Sequence, residues 1–191
     1  NAVAATLSDE LDVLGQTDHS GALDRDGDGG LSVVFTDRQN AAMGLDLQVV
    51  GFFLLEDYLP SGTTGATGNE ADILWSRLPG TLTEDLAAGT LAHEYTHLVS
   101  YATRVHARGQ TALREALWLD EGIAHLMEDL TGWGGSNVGV VDWALDHLDD
   151  SGFATGSDSV EQRGQAYLLL RHLVDEAGSG SAASASTMAA A

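Results

Sequence analysis

Apolar residues recur near the start of the chain at Val3, Leu7, Leu11 and Leu14, intervals of four, four and three that lay one stripe along a helix, and Gly15 supplies a stop. The spacing predicts a short amphipathic helix that packs on the sheet following it. The period then changes. Asp24–Gly30 is an acidic, glycine-rich turn, and Leu31–Thr36 (LSVVFT) reads as a short β-branched strand. Leu47–Leu55 (LQVVGFFLL) is apolar on both faces and predicts a second, buried strand, with Gly51 marking a bulge or the close approach of another element. Pro60–Asn69 has no periodicity and reads as a loop, and Ala71–Trp75 (ADILW) as a third strand.

From Leu82 the pattern becomes helical: one helix to Val105, a turn at Gly109, a second helix over Ala112–Thr131, and a glycine-rich break at Gly132–Gly139. Val140–Leu148 and Val160–Ala177 predict two more helices, and the low-complexity stretch 178–191 a disordered tail. Strands first and helices afterwards argue for an α+β fold, with a small mixed-sheet lobe over about residues 1–80 and a helical lobe over about 81–177 forming a single domain with a cleft between them.

Composition narrows the partners. The chain has 191 residues, 29 acidic against eight basic, and a net charge of -21; every basic residue is arginine. Nucleic acid is excluded as a natural partner, because its affinity rests on cations neutralising phosphates. No run approaches the roughly 18 uncharged apolar residues of a spanning helix, so no membrane insertion is expected. With no cysteine, a metal would have to be held by His, Asp and Glu.

His93-Glu94-Tyr95-Thr96-His97 is an HExxH sequence in the first long helix, where residues four apart share a face and both imidazoles can reach one ion. An apolar stripe of Leu91, Tyr95, Leu98, Ala102 and Val105 runs along the other side and is expected to face the sheet. Two histidines leave a hydrolytic zinc site short of one protein ligand. Glu121 is the candidate: the helix runs roughly 12 Å onward from His97 and the next returns roughly 14 Å from Ala112, so an antiparallel hairpin brings Glu121 back beside His97. Gly122 and Ala124 are small enough to let the two helices approach. His125, one turn beyond Glu121, is a candidate for orienting a ligand from behind.

HEYTH followed 24 residues later by the glutamate of Trp118-Leu119-Asp120-Glu121-Gly122 resembles the Glu-zincin metallopeptidases, thermolysin-like in ligand plan, and within that group the closest resemblance is to the hyicolysin family. Asp24–Gly29, Gly51-Phe52-Phe53, Asn69–Leu74 and Ala166–Arg171 are similar to stretches of that family, so the likeness spans about residues 20–175. Asp120 departs from it, since such peptidases commonly carry Asn there. The resemblance implies a zincin-like fold and a zinc endopeptidase acting on extended polypeptide; secretion is inferred from that function, and a monomer is expected. His93, His97 and Glu121 would hold Zn2+, and Glu94 would be the general base. It also implies that an edge strand pairs with substrate, for which Ala71–Trp75 is the candidate, and that Tyr167 donates to the oxyanion, with His147 and His172 as alternatives.

Asp24, Asp26 and Asp28 followed by Gly29 match the opening of a calcium loop, although position twelve would be Phe35 rather than glutamate; the alternatives are a non-EF-hand Ca2+ site and a solvated acidic turn. A non-catalytic adhesion or recognition module on the same scaffold is the rival function. Glu94 argues against it, since a site that only binds metal has no need of a carboxylate there.

Overall fold

The structure, a computed structural model, describes residues 2–16, 18–38, 49–62, 68–109, 114–149 and 159–177. The predicted tail 178–191, the start of the predicted second strand and the start of the Ala112 helix lie outside them. The chain is α+β, with helix α1 (Ala2–Val13), strands β1 (Ser32–Phe35) and β2 (Gly51–Phe53), the one-turn α2 (Leu55–Tyr58) and strand β3 (Ile73–Ser76). Helices α3 (Glu84–Ser100), α4 (Leu117–Leu130), α5 (Asn137–Asp146) and α6 (Val160–Glu176) follow.

The described sheet is mixed, in the order β1-β3-β2: β1 runs parallel to β3 with Val33 opposite Leu74, and β2 antiparallel to it with Phe52 opposite Trp75. Two expectations change here. Among the described strands the one at 71–75 is central, so it offers no edge; β1 and β2 are the edges, and the residues of β2 are half-buried rather than enclosed on both faces. A strand paired antiparallel can leave one face open to solvent, which apolar composition alone does not reveal.

Thr83 caps α3, its hydroxyl accepting from Leu86 N at 3.2 Å, and Glu84 and Asp85 complement the helix dipole. The predicted stripe is buried: Leu91, Tyr95, Leu98, Ala102 and Val105 form one core with Leu74, Tyr58 and Leu23. Regular α-helix ends at Ser100 and continues as a π-helical segment, Tyr101–His106, which carries the stripe onward with a wider turn. The return helix begins at Leu117, since residues 114–116 are not helical. Gly122 faces α6 rather than α3: a Cβ there would meet Ala166 Cβ at 2.9 Å and Leu170 Cδ1 at 3.0 Å.

Helix α1 packs on α3 more than on the sheet. Its Glu10 is fully buried and accepts from Thr96 Oγ1 at 2.7 Å, inside the HExxH turn. Burial pushes its carboxyl up to about 8, against the smaller opposing effect of the Thr96 hydroxyl; of the charges facing it, His93 lowers the value and Glu128 raises it. Between about 4.5 and about 8 the unfolded chain ionises this group while the folded chain keeps its proton. Unfolding therefore releases a proton, and this contribution to stability, full below the lower value, is lost as pH rises through the window. Glu10→Gln keeps an acceptor for Thr96 and cannot ionise. The melting temperature of Glu10→Gln relative to wild type should rise from pH 5 to pH 8.5, corresponding to about 4 kcal/mol in stability. A difference independent of pH would show that Glu10 does not carry this dependence.

Candidate metal centre

His93 and His97 lie on the side of α3 that α4 covers, and Glu94 on the side that β2 borders. Glu121, His125 and Glu128 recur at intervals of four and three along α4, which lays them in one stripe against those histidines. Strand β2 forms the opposite wall, α6 contributes Arg163, and together they enclose a cleft of about 720 Å³.

The predicted return of Glu121 holds. Its Oε2 lies 3.4 Å from His93 Nε2 and its Oε1 3.8 Å from His97 Nε2, and one donor atom from each of the three residues lies within 4.8 Å of the other two. The imidazoles stand edge to face, 4.9 Å apart. Glu121 is 8% exposed, and its Oε2 has no hydrogen-bond partner although Arg163 Nη1 is 3.0 Å away.

Behind these three residues lies a second layer of carboxylates. Glu128 Oε1 is 2.7 Å from His93 Nδ1, and Asp120 Oδ1 is 3.3 Å from His97 Nδ1. Asp120, where the resembled family carries Asn, thus still faces the second histidine, as a charge contact. His125, expected to orient a ligand, does not touch one by hydrogen bond; its Nδ1 is 2.9 Å from Glu128 Oε1, and its ring packs edge to face on His93.

These contacts set the charges. Burial disfavours the His93 imidazolium, but Glu121 and Glu128 outweigh it and hold the ring up at about 10. Burial likewise disfavours both carboxylates, and the facing histidines outweigh it, holding each down at about 2. Cationic charge at this spot is therefore strongly favoured.

A transition-metal ion fits the residues. Two imidazole nitrogens and a carboxylate converge, His93 gives its other nitrogen to a buried carboxylate, as ligand histidines do, and a buried carboxylate oxygen is left without a hydrogen bond. A second set, His93, His125 and Glu128, also lies within 4.8 Å but is wholly buried, and its members are already hydrogen-bonded to one another.

Glu94 Oε2 accepts from Phe53 N at 2.8 Å, so the edge strand fixes this carboxylate at the cleft. Gly51 makes that possible, because a Cβ there would meet Thr90 Cγ2 at 2.4 Å and Trp75 O at 2.9 Å. Close approach, and not a bulge, is its role.

Tyr167 is not at the cleft. Its hydroxyl donates to Asp129 Oδ2 at 3.0 Å, on which Arg171 also converges at 2.7 Å, and burial together with Asp129 pushes it up to about 12. His147 stacks on Trp143, and His172 is exposed. One turn earlier on α6, Arg163 is the residue that enters the cleft, a placement that no periodicity distinguishes from Tyr167. Glu128 was also missed, though its spacing from Glu121 in the sequence is a readable helical one.

In the acidic turn Asp24 and Asp26 converge with the buried Asp72, whereas Asp28 turns to Gly30 N at 2.8 Å. Asp24 accepts from Gly27 N and Gly29 N, and Asp26 from Asp28 N, the backbone bonding of a self-capped turn. His19, without any signal in the sequence, links Asp72 at 2.7 Å to the Tyr95 hydroxyl at 2.7 Å and ties this turn to α3.

No protein-family model and no curated protein matches the chain.

Proposed function

We propose that this chain is a zinc-dependent metalloendopeptidase of zincin-like fold, secreted and acting as a monomer on extended polypeptide. The observation that carries the reading is the buried Glu121 carboxylate, whose Oε2 faces His93 Nε2 and whose Oε1 faces His97 Nε2, in an open cleft whose wall fixes Glu94 beside them. His93, His97 and Glu121 would hold the ion. When bound, zinc supplies Lewis acidity to a carbonyl oxygen and to an attacking water.

The residues do the remainder. Phe53 N–H engages Glu94 Oε2, which leaves Oε1 to take a proton from water and return it to the departing amine nitrogen. Strand β2, one of the two edges among the described strands, lies along the cleft and offers extended substrate a flank there, in place of the central β3. The α6 group at the cleft is the guanidinium of Arg163, so Tyr167 has no part in binding the oxyanion. The resembled peptidases support this reading through HEYTH and the WLDEG segment alone.

Zinc content by mass spectrometry, paired with casein hydrolysis, tests it. The expected result is about one zinc per chain and cleavage that a chelator stops and added zinc restores. Zinc without cleavage would favour the non-catalytic binding module, and a chain that takes up no zinc would end the proposal.

A further inference from the structure

We infer that Ser136 and Asn137, at the junction between α4 and α5, are positioning residues for the ion, acting on His93 through Glu128 and His125. The inference rests on the reading of His93, His97 and Glu121 as ligands. Asn137 Nδ2 donates to His125 O at 2.8 Å, which orients the amide and turns Oδ1 towards His125 Nδ1, also at 2.8 Å. An amide oxygen only accepts, so His125 carries its proton on Nδ1. The same Nδ1 is 2.9 Å from Glu128 Oε1, the oxygen on which His93 Nδ1 converges at 2.7 Å, while Glu128 Oε2 accepts from Ser136 Oγ at 2.6 Å.

Both oxygens of Glu128 are thereby occupied, three donors on one carboxylate that is 4% exposed. A buried carboxylate without such partners would neutralise or move. Held as it is, Glu128 keeps a His93 proton on Nδ1, so the proton that an ion would displace is the one on Nε2, the nitrogen turned towards Glu121. Helix α4 alone places Glu128 near His93 but does not determine the rotation of its carboxylate. The Ser136 hydroxyl does so from outside the helix, across Gly89, where a Cβ would meet Trp133 O at 3.0 Å and Glu128 Oε2 at 3.5 Å.

Zinc affinity, measured by competition with a chromophoric chelator at fixed pH, tests the chain of contacts in wild type, Ser136→Ala, Ser136→Thr and Glu128→Gln. Ser136 is exposed, so Ser136→Ala should leave the melting temperature of the metal-free chain nearly unchanged. It should nonetheless weaken zinc binding by about 10-fold, with Ser136→Thr restoring it, and Glu128→Gln should weaken it by about 10–100-fold. In 15N spectra of the zinc-loaded chain, the His93 Nδ1–H resonance should shift in Ser136→Ala and return in Ser136→Thr. Wild-type affinity and an unchanged resonance in both Ser136→Ala and Glu128→Gln would overturn this inference alone. A wild type that binds no zinc would remove the ligand reading and this inference with it.

Discussion

Glu94→Gln should keep its zinc and lose casein hydrolysis by about 10²–10⁴-fold, the range associated with removing a positioned general base. The amide is nearly isosteric and its oxygen still accepts from Phe53 N, so the strand–helix contact that locates the side chain survives. What is lost is the capacity to take a proton. Metal content and melting temperature equal to wild type, measured beside the rate, separate this from unfolding or metal loss. A variant within a few-fold of the wild-type rate would remove Glu94 from the mechanism and, with it, the main argument against a binding module.

Glu121→Ala should lower zinc affinity by more than about 10²-fold, beyond what loss of an outer contact costs. The substitution removes the one carboxylate among the described residues that faces both His93 Nε2 and His97 Nε2, and it takes away the anion that stands between Arg163 and the two imidazoles. Two imidazoles alone are an incomplete zinc site. The comparison with Glu128→Ala decides between the two overlapping ligand sets. Full zinc in Glu121→Ala together with none in Glu128→Ala would shift the site to His93, His125 and Glu128, away from Glu94 and the cleft.

These two residues are legible in the sequence because they lie at helical spacings: HExxH within one helix, and Glu121 at the distance from which an antiparallel hairpin returns. The stripe from Leu91 to Val105 was legible for the same reason, and so was the order of strands before helices. Local periodicity survives folding because each helix must bury one face. Helix ends were less legible. The Tyr101–His106 segment and the late start of α4 at Leu117 depend on how the chain turns between two packed helices, which composition does not encode.

By itself, then, the sequence determined the α+β class, the inward face of α3, the pairing of His93 with His97 and the candidacy of Glu121. Only the tertiary structure decided that β2 and not β3 borders the cleft, that Arg163 and not Tyr167 enters it, and that Glu128 stands behind His93 with Ser136 and Asn137 behind Glu128. Each of these depends on which surfaces of separate elements meet. A helix or strand pattern gives the face a residue occupies but carries no term for the neighbour across from it, and here Gly51, Gly89 and Gly122, each by lacking a side chain, set where those neighbours come to rest.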